Sequence, residues 1–107
     1  MRSHEWIDQR SLALDRRIAE KLRANPALIQ HATTTLRHWV EQREPSIPPV
    51  LREWQEILGQ HNLDEILARL TEDDAAARRL RQSSPFCGIL SPEERLAIFQ
   101  QYEARRA

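Results

Sequence analysis

Glycine occurs only twice in 107 residues, at Gly59 and Gly88. Tight β-hairpin turns need positive φ, which glycine supplies most readily, so a hairpin-rich all-β chain would here lack its turn residues. Proline, with six copies, supplies the punctuation instead. It suits helix starts and stiff connections. Between the prolines, Arg, Glu, Gln, Leu and Ala dominate, and apolar positions recur at three and four residues rather than two. The chain therefore reads as all-α, a compact bundle of five to six short helices in a single domain over 1–107.

The first helix is expected from about Glu5 to Ala24, with Ile7, Ser11, Leu14, Ile18 and Leu22 as its buried stripe and Asp8, Arg16, Arg17, Glu20 and Lys21 largely facing water. Asn25 and Pro26 read as a stop followed by an N-cap and N1 pair. The next helix then runs to about Gln42 and buries Leu28 or Ile29, Ala32, Leu36, Trp39 and Val40. Pro45, Pro48 and Pro49 make the strongest break in the chain. Beyond it, Val50, Leu51, Trp54, Ile57 and Leu58 return at helical spacing, with Gly59 as a C-terminal stop. Asn62 with Glu65 predicts a capped helix that buries Leu63, Ile66, Leu67 and Leu70. Thr71 with Asp74 repeats that pattern before a helix over about Asp73 to Gln82. Ser91, Pro92, Glu93 and Glu94 combine an N-cap, proline at N1 and an acidic N3. The terminal helix packs through Leu96, Ile98, Phe99 and Tyr102, and Arg105 and Arg106 suit its C-terminal dipole.

Composition narrows function as well as fold. Hydrophobic residues make up 40% and charged residues 30%, enough apolar surface for a core. Sixteen basic residues balance sixteen acidic ones, so no whole-molecule field draws the chain to nucleic acid or anionic lipid. A single cysteine excludes an internal disulfide and a cysteine-rich zinc module. With no apolar leader and no membrane-length apolar run, the protein is expected to be cytoplasmic.

Sites for chemistry are sparse. His4, His31, His38 and His61 lack zinc-ligand spacing, although His31 and His38 could share a helix face, so no metal and no cofactor are expected. Cys87 sits in a turn rather than a nucleophile elbow, and the carboxylates Glu53, Glu56, Glu72, Asp73 and Asp74 read as caps and solvated faces. No catalytic residue is assigned. The most informative stretch is Ala77 to Phe86, where Arg78, Arg79 and Arg81 offer planar multi-donor cations and Ser83, Ser84 and Phe86 add polar and aromatic contacts. It is a candidate partner-binding edge. The plain alternative pairs Arg78 and Arg81 with Glu72, Asp73 and Asp74, and sends Leu80 and Phe86 into the core. Trp39 and Trp54 read as core, whereas Trp6 is either core or an interface anchor.

Several runs carry a resemblance: Ser11 to Leu14 (SLAL), Ile18 to Leu28 (IAEKLRANPAL), Leu51 to Trp54 (LREW) with Ile57 and Leu58, Leu80 to Phe86 (LRQSSPF), and Gly88 to Arg95 (GILSPEER). Over nearly its whole length the chain resembles a group of small, uncharacterised bacterial proteins found beside nucleotidyltransferase-like proteins in two-gene modules. Cys87 stands where that pattern has a small residue such as alanine. The resemblance implies a non-enzymatic, antitoxin-like partner that neutralises or supports a nucleotidyltransferase-type toxin. On that reading Arg78, Arg79 and Arg81 address the partner's acidic carboxylates, while Phe86 and Trp6 anchor the contact and Ser83 and Ser84 add polar contacts. The alternative is a small DNA-binding regulator, with the helices around Asn62 to Leu70 and Asp73 to Gln82 as a helix-turn-helix. Asp64, Glu65, Glu72, Asp73 and Asp74 oppose its arginines. A homo-oligomer is compatible with either reading.

Overall fold

The computed structural model describes residues 3–60 and 62–106, and side chains over 5–60 and 62–104. His4, His61, Arg105 and Arg106, singled out above, have side chains outside the described residues. The described residues form six α-helices and one 3-10 turn: α1 Ser3–Ala24, the turn Pro26–Leu28, α2 Ile29–Arg43, α3 Pro49–Gln60, α4 Leu63–Thr71, α5 Ala75–Arg81 and α6 Pro92–Arg106. The expected all-α architecture is what the chain adopts.

The long helix α1 is the spine, against which α4, α6 and the 3-10 turn pack; α2 pairs with α3, and α4 with α5. Because neighbours cover more than one side of α1, its buried residues are Trp6, Leu12, Asp15, Ile18, Ala19 and Leu22. The expected stripe is corrected at its N-terminal half, where Ile7 is 42% exposed and Ser11 and Leu14 are half-buried.

The main core joins Ile18, Ala19 and Leu22 of α1 to Ala32, Leu36 and Val40 of α2, Leu51, Trp54 and Ile57 of α3, and Ile66, Leu67 and Leu70 of α4. Leu80, Phe86, Ile89 and Leu90 close it. At its centre the rings of Trp54 and Phe86 meet edge to face, 5.8 Å apart, and Trp54 Nε1 donates to Leu80 O at 3.1 Å. A side chain of this size contributes about 1.5–3 kcal/mol on full burial. Here it also fixes the segment between α5 and α6.

Several boundaries differ in detail. Asn25 makes no side-chain cap, and Pro26 opens a 3-10 turn rather than α2 itself. Gly59 lies within the last turn of α3, and no described residue has positive φ. Thr71 ends α4 with its hydroxyl donating to Leu67 O, while Asp74 alone caps α5 by accepting from Ala77 N at 2.8 Å. Trp39, expected in the core, is half-buried.

The capping signals at Asn62 and Ser91 hold. Asn62 Oδ1 accepts from Glu65 N at 2.9 Å. Ser91 Oγ accepts from Glu94 N at 3.1 Å, and Glu94 Oε1 accepts from Ser91 N at 2.9 Å. The same Glu94 carboxylate takes Lys21 at 2.6 Å and Arg17 at 2.9 Å, clasping the start of α6 to α1. Its pKa falls to about 2, chiefly through Lys21 and then the Ser91 backbone N–H.

Candidate functional site

The arginine-bearing helix α5 divides its charges between surface and interior. Arg78 Nε donates to Asp73 Oδ1 at 3.1 Å and lies 3.9 Å from Asp8. Arg79 forks onto both oxygens of Glu53, with Nη2 donating to Oε1 at 3.1 Å. Those bonds hold the Asp73 and Glu53 carboxyls below the usual range and raise the two arginines. Arg78 and Arg79 therefore serve first as surface pairs in this fold. Double-headed Arg to carboxylate contact suits Arg79, although exposed pairs of this kind contribute little to stability.

Arg81 points the other way. Its side chain is only 5% exposed; Nη1 donates to Glu72 O at 3.0 Å, while Nη2 has no hydrogen-bond partner and lies 3.5 Å from Asp73. Across from it, α1 contributes Asp15, 5% exposed, whose Oδ2 also has no hydrogen-bond partner. Burial pushes the Asp15 carboxyl up to about 7, against the opposing pull of Arg81. The two groups line one hollow of about 230 Å³.

Ser83, Ser84, Cys87 and Trp39 also border that hollow. Ser84 Oγ accepts from Phe86 N at 3.2 Å, which leaves its own hydrogen free to donate. Arg95 reaches over from α6 and donates to Cys87 O. A second hollow of about 400 Å³ adjoins the first through the shared residues Trp39 and Ser83, and extends along Gln42, Arg43, Pro48, Val50 and Leu51. The two together form a cleft with a half-buried tryptophan between them. Its arginines are Arg43, Arg81 and Arg95, and its acid is Asp15.

Two of the predicted contact residues, Phe86 and Trp6, are buried in the fold. Phe86 is 0% exposed against Trp54, so it closes the core and offers no surface to a partner. Trp6 is 7% exposed and donates through Nε1 to Tyr102 O at 2.9 Å, tying α1 to α6. The Arg10 guanidinium lies over its ring at 4.8 Å and over the Phe99 ring at 4.5 Å. Arg78 and Arg79 lie outside the cleft. Arg81, Ser83 and Ser84 are brought together in it.

Asp15 is the residue that sequence reasoning passed over. A signal was present: Leu12, Asp15, Ile18, Ala19 and Leu22 follow the spacing of one helix face, so a carboxylate stands in register with apolar neighbours. His31 and His38 are both exposed, and no cluster of three potential metal ligands occurs among the described residues. No described helix is long and apolar enough to cross a membrane. Comparison with family models, curated proteins and solved structures finds no match for the chain.

Proposed function

We infer that this chain is a non-enzymatic binding module that holds a protein partner in the cleft around Trp39. The reading rests on one observation: a tryptophan left half-buried between two adjoining hollows, with arginines at either end and apolar Val50 and Leu51 along one side. Tryptophan and arginine are the side chains that most often dominate interface energetics. Basic ends with an apolar middle suit an acidic partner segment that carries an apolar residue at its centre.

Together with the resemblance noted above, this favours an antitoxin-like role in the bacterial cytoplasm, in which the module covers the acidic substrate cleft of a nucleotidyltransferase-type protein and neutralises or supports it. The contact is centred on Trp39, Arg43 and Arg95 rather than on Arg78 and Arg79, whose charges are already engaged by Asp73 and Glu53. That engagement also removes free positive charge from α5, so a groove-reading helix gains no support.

Co-expression with the protein encoded beside it, followed by co-purification and a growth-rescue assay, tests the reading. Trp39→Ala combined with Arg43→Glu is expected to abolish capture and rescue, while Arg78→Gln with Arg79→Gln leaves both intact. Failure to form a complex, or a complex indifferent to the cleft variant, contradicts it.

A further inference from the structure

The Asp15 hollow contains two side chains of opposite charge, each more than nine-tenths buried, and each with a polar atom that accepts or donates no hydrogen bond: Asp15 Oδ2, and Arg81 Nη2, whose one ionic neighbour is Asp73 at 3.5 Å. Leaving a buried carboxylate or guanidinium unmet is costly, and a fold retains such an arrangement most readily where something else completes it. We propose that this hollow binds a small zwitterion of the α-amino-acid class, its ammonium meeting Asp15 and its carboxylate meeting Arg81.

Charge selects this class over the alternatives. A phosphate or dicarboxylate is repelled by Asp15, and a polyamine is repelled by Arg81 and by Arg95 on the same wall. An uncharged amide reaches both groups but leaves both formal charges only partly met. A zwitterion brings an ammonium to Asp15 and gives the free donor of Arg81, which has only an ion pair with Asp73, a carboxylate to bond. The free hydrogen of the Ser84 hydroxyl adds a donor for the carboxylate.

Size points the same way. At about 230 Å³ the hollow is smaller than the roughly 300–1,000 Å³ of sites for drug-sized ligands. Leu14, Ile18 and Leu90 in its lining suit an aliphatic side chain. The hollow is one half of the cleft assigned to the partner, but the small ligand needs only this chain, so its binding is tested apart from the partner reading.

Calorimetric titration of the full chain with a panel of the common α-amino acids, read in parallel by tryptophan fluorescence from Trp39 at the rim, tests the proposal. L-valine is the reference ligand, with isobutylamine lacking its carboxylate and isovalerate lacking its ammonium. The expected result is binding of at least one amino acid, with each single-charge analogue of that ligand weaker by about tenfold or more. Asp15→Asn, which removes a buried charge and retains shape, is expected to fold and to bind at least about tenfold more weakly. Arg81→Gln provides the second arm where it folds. No binding by any amino acid, a single-charge analogue that matches its parent, or an Asp15→Asn protein that binds as tightly as the wild type overturns the proposal. Tighter binding of inorganic phosphate or of a simple amine also overturns it.

Discussion

Two carboxylates bear on α1 and meet opposite fates. Glu94, at the start of α6, accepts from Lys21, Arg17 and the Ser91 backbone, so every charge at that contact is answered. Asp15, less than two turns along α1 from Lys21, is more deeply buried, and its Oδ2 accepts from nothing. The difference separates an acid whose pairing fastens one helix to another from an acid whose pairing is left for something outside the fold. The pKa values diverge accordingly, down to about 2 for Glu94 and up to about 7 for Asp15.

The largest effect expected from breaking this contrast is on Asp15. Its folded pKa lies above its unfolded value, so the native state binds the proton more tightly and stability falls as pH rises from about 4 through about 7. With roughly 1.4 kcal/mol per unit, the burden on the wild type at pH 8 reaches up to roughly 4 kcal/mol. Asp15→Asn relieves it, so urea unfolding of that variant at pH 8 should show a higher midpoint than the wild type, and the gap should close toward pH 4. Equal midpoints at pH 8 would mean that the carboxylate is satisfied in solution.

The Glu94 side of the contrast has the opposite sign. Its pKa lies below the unfolded value, so the clasp is intact above about 4.5 and is lost as pH falls toward about 2. Ser91→Ala removes the hydroxyl that caps α6 and is expected to cost about 1 kcal/mol, the usual worth of a serine N-cap. Urea unfolding at pH 7 reads this directly. An unchanged midpoint would show that the ion pairs alone hold the start of α6.

Much of the fold was legible because its signals are local. Scarce glycine, helix-starting prolines and the Asn62 and Ser91 caps act within a turn of the chain, and they mark α4 and α6 correctly. Face assignment on α1 was only half legible: its buried arc depends on where α4, α6 and the 3-10 turn lie, and periodicity alone does not encode that. The site was legible in part for a similar reason. The stretch from Ala77 to Phe86 does supply Arg81, Ser83 and Ser84 to the cleft. Which arginine turns inward, however, is set by Glu53 and Asp73 capturing its neighbours. Phe86 and Trp6 carry the same aromatic signature whether they anchor a core or an interface, and only the positions of Trp54 and Tyr102 decide between the two. Asp15 was hidden by its chemistry, because a carboxylate among solvated charges on a helix ordinarily faces water.

The most direct test is the titration of the Asp15 carboxyl carbon, followed by NMR in the ligand-free protein. A midpoint near 7 is predicted from its burial beside an arginine that does not bond to it. A midpoint close to the ordinary 3.8 would show that water or a protein donor already satisfies Asp15, and would contradict an unmet charge held open inside the cleft.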